Sequence, residues 1–96
     1  MTLKLRSKIW KYPGMAAWYF LSVPLPAAKR IKKSQEGRPR IGFGSVRVRA
    51  TLGSSRWNTS IFPDKKSGTY LLPLKAQIRK KEGVGDKDTV SFMLEL

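Results

Sequence analysis

The chain has 96 residues, room for one domain spanning 1–96, with a small core because short chains bury a smaller share of their surface. It holds no Cys and no His, which removes a disulfide framework, a thiol nucleophile, the usual zinc and iron ligand sets and the commonest general base. Lys and Arg total 20 against 6 Asp and Glu, a net charge of +14 that favours a polyanionic partner such as nucleic acid.

Leu3, Leu5 and Ile9 alternate with Lys4, Arg6, Lys8 and Trp10. This period of two predicts a half-buried strand with a basic outer face. It also lacks the continuous apolar run of a secretory signal. Tyr12 to Gly14 reads as a turn, and Met15 to Val23 as a second strand. That strand is apolar on both faces, which predicts a central position and an antiparallel hairpin with the first. The apolar run from Met15 to Ala28 holds Pro24 and Pro26. It falls short of the about 20 residues a membrane span needs. A cytoplasmic protein without a membrane span, monomeric or homodimeric, is expected.

Ser22 or the Pro24–Pro26 segment opens a short helix from Leu25 to Gly37, with Leu25, Ala28 and Ile31 as one apolar stripe. Gly37 to Gly42 is a basic loop. Phe43 to Leu52 reads as the third strand, with Val46, Val48, Ala50 and Leu52 on one face and Arg47 and Arg49 on the other. Gly53 to Ser55 turns the chain, with Gly53 supplying a positive φ. Arg56 to Phe62 is the fourth strand, ended by Pro63, and Thr69 to Leu72 the fifth. Pro73 to Gly83 reads as a second helix, because Pro suits a first turn. Thr89 to Leu96 is the last strand, with Val90, Phe92, Leu94 and Leu96 inward.

The expected fold is mainly β: a small six-stranded, double-split-like barrel with two short helices, in the order ββαβββαβ. Closure removes the exposed edges that an open sheet would leave.

Val23–Pro24, Gly53, Trp57, Thr59, Ser60, Phe62, Pro63, Tyr70 to Pro73, Lys75, Arg79 and Asp88 to Val90 form a pattern. It resembles the bacterial family catalogued as domain of unknown function number nineteen-hundred-and-five. The likeness covers most of the chain. It implies a small closed or split β-barrel and no established activity. Lys87 departs from it, since the family usually has Gly directly before this Asp. The last third also looks like swapped-hairpin transcription regulators, in the spacing of Pro73, Arg79 and Asp88 to Val90. A shared barrel explains that likeness without a shared function.

Two places could carry function. Trp57, Asn58, Thr59 and Ser60, with Lys75 and Arg79, could line a pocket at a barrel mouth. The same stretch could equally be a barrel corner, with Trp57 as a plug, Thr59 or Ser60 bonded to local backbone and Pro63 ending the strand. Lys75 and Arg79 could clamp an anion or pair with Asp86, Asp88 or the C-terminus. Lys4, Arg6, Lys8 and Trp10 share one strand face, and Arg47 and Arg49 another. If those strands are neighbours, they form a basic stripe with an aromatic in it, a platform for single-stranded nucleic acid. Lys29, Arg30, Lys32, Lys33, Arg38 and Arg40 could extend it. A charged outer face is also what any soluble sheet needs. No spacing among the carboxylates calls for a metal, no nucleotide-binding loop or nucleophile elbow appears, and no cofactor is expected. The resulting expectation is a non-enzymatic binding module, with nucleic-acid binding through the basic strand face as the alternative.

Overall fold

Alternation governs the first strand as it does the sequence. In the computed structural model, which describes residues 1–14, 18–38 and 44–96, β1 runs Thr2–Lys11. Leu3 and Ile9 are buried inward while Lys4, Arg6 and Lys8 are exposed. Next come β2 (Tyr19–Ser22), α1 (Leu25–Ser34), β3 (Val46–Leu52), β4 (Ser55–Asp64), β5 (Thr69–Pro73), α2 (Ala76–Glu82) and β6 (Thr89–Glu95). The order is the expected one, and the strands close into an antiparallel barrel, β1-β2-β5-β4-β3-β6.

Closure depends on two long strands that change partners midway. β1 pairs with β6 from Thr2 to Lys8, then with β2 from Ile9 to Lys11. β4 pairs with β3 from Ser55 to Ile61, then with β5 from Phe62 to Asp64. Each strand therefore leaves one sheet and joins another, which is the split the family resemblance implied. The core is the inward row of every strand: Leu3, Ile9, Leu21, Val48, Ala50, Ile61, Leu72, Phe92 and Leu94, among others. Each fully buried Leu or Ile contributes about 1.5–3 kcal/mol relative to exposure.

The helices differ in detail from the expectation. Pro24 caps α1 and Pro26 sits in its first turn, as the sequence suggests. Ala27, Ala28 and Ile31 are its buried face, while Leu25 is 53% exposed. The stripe thus keeps the expected Ala28 and Ile31 and takes Ala27 in place of Leu25. α1 also stops at Ser34, before Gly37, where the Ser34 hydroxyl donates to the Ile31 carbonyl at 2.6 Å. Pro73 is a correction. It ends β5 opposite Phe20 instead of starting α2. The Leu74 N–H donates to the Tyr19 carbonyl at 2.8 Å, which keeps the chain extended until Lys75 caps the helix. Of the expected second strand, Met15, Ala16 and Ala17 lie outside the described residues, as do residues 39–43 with Arg40 and Phe43. Among the described residues, no helix is long and apolar enough to cross a membrane.

The turn before β6 keeps its bonds despite the Lys87 departure. The Lys87 N–H donates to the Ile9 carbonyl, and the Gly85 N–H donates to the Asp88 carboxylate, both at 2.8 Å. Lys87 does so with φ at +73°. A left-handed L-residue costs about 1–2 kcal/mol. Gly gives back about 0.4–1 kcal/mol through the freer unfolded chain. Lys87→Gly should therefore stabilise the protein by about 0.5–1 kcal/mol, a rise of a few degrees in a thermal melt. A lower midpoint would mean that the Lys87 side chain outweighs its backbone strain.

Candidate functional site

β1 and β3 are not neighbours. β6 lies between them and pairs with both. Because paired residues share a face, the outward row Lys4–Met93–Thr51–Arg56 can be read across four strands. The row beside it is Thr2–Glu95–Arg49–Asn58. Arg6 stands beside Ser91, Lys8 beside Thr89, and Arg47 beside Ser60. The outer face of this sheet thus carries two basic columns. Lys4, Arg6 and Lys8 form one, and Arg47, Arg49 and Arg56 the other, all exposed. Between them β6 presents Thr89, Ser91 and Met93, with Glu95 the acid of the face.

A groove opens at the Lys4–Met93–Thr51 row, the one row where the two columns are level. The β3–β6 pairing stops at Thr51 and Met93, where β3 turns away through Gly53. An open groove of about 460 Å³ follows, lined by Lys4, Leu5, Thr51, Gly53, Ser91, Phe92 and Met93. On β3, Arg47 Nη1 donates to Ser60 Oγ of β4 at 3.3 Å. Cationic side chains gathered on one face make it attractive to an anion.

Trp10 continues the β1 column, and the structure surrounds it with rings that the sequence does not bring together. Cross-strand pairing sets Trp10 opposite Phe20, with ring centroids 5.3 Å apart. Tyr12 lies 6.1 Å from both Trp10 and Phe20, and Trp18 lies 5.9 Å from Phe20. The Trp10 indole N–H donates to Ser22 Oγ at 2.9 Å, and that residue's carbonyl accepts from the Ser7 hydroxyl at 2.6 Å. Phe20 is 7% exposed at the centre of the cluster, whereas Trp18 is 52% and Tyr12 43% exposed. Continuing the even-numbered alternation past Trp10 leads to Tyr12. Nothing local leads to Trp18 and Phe20, whose place depends on the hairpin register.

The six residues expected at a barrel mouth are dispersed. Along β4, Trp57 and Thr59 are opposite inward Ala50 and Val48, while Asn58 and Ser60 are opposite outward Arg49 and Arg47. Trp57 packs on the core, half-buried. Gly53 has the predicted positive φ, +59°. Lys75 caps α2 and is exposed. Arg79 lies flat on Tyr19, its guanidinium carbon 3.7 Å from the ring centroid, and Nε donates to the Leu74 carbonyl at 3.2 Å. That stacking fastens α2 over the barrel and is worth about 0.5–2 kcal/mol. None of the six lines the groove.

The carboxylates are mostly engaged locally. Asp64 accepts from Ser67, Asp86 from the Lys11 N–H and Glu82 from Ser54 and Ser55. Among the described residues no cluster of three or more His, Cys, Asp or Glu could hold a metal ion.

A family model described as Domain of unknown function (DUF1905) matches residues 6–94, from the middle of β1 to the end of β6. No curated protein sequence matches the chain.

Proposed function

We propose that this chain, which belongs to the DUF1905 family, is a non-enzymatic binding module that holds an extended polyanion across the outer face of β1, β6 and β3. One observation carries the reading. Strand alternation and register put Lys4, Arg6 and Lys8 on the β1 side of β6 and Arg47, Arg49 and Arg56 on the β3–β4 side, offset along β6 and level with one another at Lys4 and Arg56, where a groove opens beside Lys4. A flexible chain of negative charge can follow the β1 cations, cross β6 beside Lys4 and continue onto the arginines of β3 and β4, releasing its counterions as it binds. The non-enzymatic half is supported by the chemistry present. The chain has no His or Cys, and Asp64, Glu82, Asp86 and Asp88 are tied into turns and the helix end. Glu95, the carboxylate of this face, stands in register between Thr2 and Arg49, with no second carboxylate beside it in the row.

The test is anisotropy of a labelled polyanion over a salt series. The wild type should show a linear fall of log K with log salt, with a slope of about −0.7 per neutralised charge for a single-stranded chain. Reversing Arg47 and Arg49 to Glu should flatten that slope by at least about 1.4 and weaken binding about ten-fold or more. Lys65→Glu with Lys66→Glu, an equal charge change on the exposed β4–β5 loop, should do much less. Equal losses in the two double variants would show that net charge alone drives binding, and the trough would lose its role.

A further inference from the structure

We propose that the polyanion is a single-stranded nucleic acid whose bases stack on Trp18 and Tyr12 at the end of the β1 basic column. This rests on the reading above and adds the class of ligand. The argument starts from continuity. The outward positions of β1 run Lys4, Arg6, Lys8, Trp10, and Tyr12 follows at the same spacing. Successive outward side chains on a strand stand about 6.6–6.8 Å apart, a stride similar to that between phosphates of an extended single strand. Lys4 and Trp10 are therefore about 20 Å apart along the strand, enough for several nucleotides. Charge and π-surface come in one line, in the order that a backbone followed by exposed bases would need.

The aromatic end is built as a platform. Phe20 is its buried centre, contacted by Trp10, Tyr12 and Trp18. Trp10 is held by its bond to Ser22, so the rings beneath are fixed before any ligand arrives. Trp18 and Tyr12 lean on that base and keep about half of their surface open. A preordered ring loses little freedom on stacking, and every base has a face to stack. The chemistry discriminates among polyanions. A polyphosphate or sulfated sugar has charge but no aromatic face. A duplex has bases, but they are stacked on one another and out of reach. An apolar protein segment would suit the rings but not the three cations beside them.

The experiment measures anisotropy of a labelled twelve-residue oligo(dT), the corresponding duplex and a polyphosphate of similar charge. The proteins are wild type, Trp18→Ala, Trp18→Phe, Tyr12→Ala and the triple variant Lys4→Glu/Arg6→Glu/Lys8→Glu, each checked for folding by circular dichroism. Trp18→Ala should weaken oligo(dT) about ten-fold with an unchanged salt slope, and Trp18→Phe should recover part of the loss. Polyphosphate binding should not respond to Trp18. The triple variant should weaken all three ligands and flatten the oligo(dT) slope by about 2. If the triple variant loses binding while both Trp18 variants bind oligo(dT) like wild type, the stacking site is wrong and the polyanion trough stands. Tighter binding of the duplex than of oligo(dT), or an equal effect of Trp18→Ala on polyphosphate, overturns the single-strand assignment. An unaltered triple variant overturns the trough itself.

Discussion

Leu94→Ala is expected to destabilise the protein by about 3 kcal/mol, within the 2–5 kcal/mol range of buried Leu truncations. Leu94 is fully buried on the strand that joins the two basic columns. Its neighbours in register are Leu3 on β1 and Ala50 on β3. Ala50 is also fully buried and has no side-chain length to move into the space. The surrounding strands belong to a closed barrel, so they cannot slide together without breaking a ladder. Cavities that fail to collapse are the costly ones. A domain of this size has about 5–15 kcal/mol of stability in all, so a melting midpoint should fall by about 12–24 °C.

The control is one residue away. Met93 points to the outer face, between Lys4 and Thr51. Met93→Ala should cost under about 1.5 kcal/mol while deepening the groove. Chemical denaturation of both variants checks the contrast. Similar losses for the two would contradict the register of β6, and with it the placing of the basic columns. The function proposed for the outer face therefore depends on the inner one: Leu94 holds β6 at the height that makes its Ser91 and Met93 a floor rather than a ridge.

What the sequence makes legible is whatever repeats locally. Period two shows which side chains of β1 and β3 share a face, and the buried and exposed rows agree with it. Strand neighbours are another matter. β6 comes last in the chain yet inserts between β1 and β3, a consequence of barrel closure that no window of residues contains. The same limit applies to Trp18. Its apolar strand reads as buried on both faces, but among the described residues no helix covers the outer one, and Trp18 is left half-exposed on Phe20. Trp57, Asn58, Thr59 and Ser60 look like a cluster because they are adjacent, and adjacency on a strand means opposite faces. Pro73 reads as a helix start yet ends β5, because Pro suits a strand end as well as a first helical turn.

Gly53→Ala is expected to cost more than its backbone conformation alone, because the added methyl group would displace Glu82. Gly53 holds φ at +59° in the tight β3–β4 turn, and a Cβ there would overlap the Glu82 carboxylate. The left-handed conformation alone costs about 1–2 kcal/mol for a residue with a Cβ. Glu82 ends α2, where an acid is poorly matched to the helix dipole. Its partners explain its position. It accepts from Ser55 Oγ at 2.6 Å, from Ser54 Oγ at 3.1 Å and from the Ser54 N–H at 3.3 Å, joining α2 to the hairpin. The Ser55 bond foremost, and then the Ser54 N–H, hold its pKa below the ordinary 4.5. A carboxylate depressed on folding stabilises the native state fully above its unfolded pKa, and that contribution fades as pH falls through the folded value. Glu82→Gln should therefore melt below wild type at pH 7, and the gap should narrow as the solution is taken below about pH 4.5. In a double-mutant cycle, Gly53→Ala and Glu82→Gln should lose less together than the sum of their separate losses, because each breaks the same clasp. Strict additivity would sink the idea that Gly53 is small for the sake of Glu82, leaving the turn's φ as its whole reason.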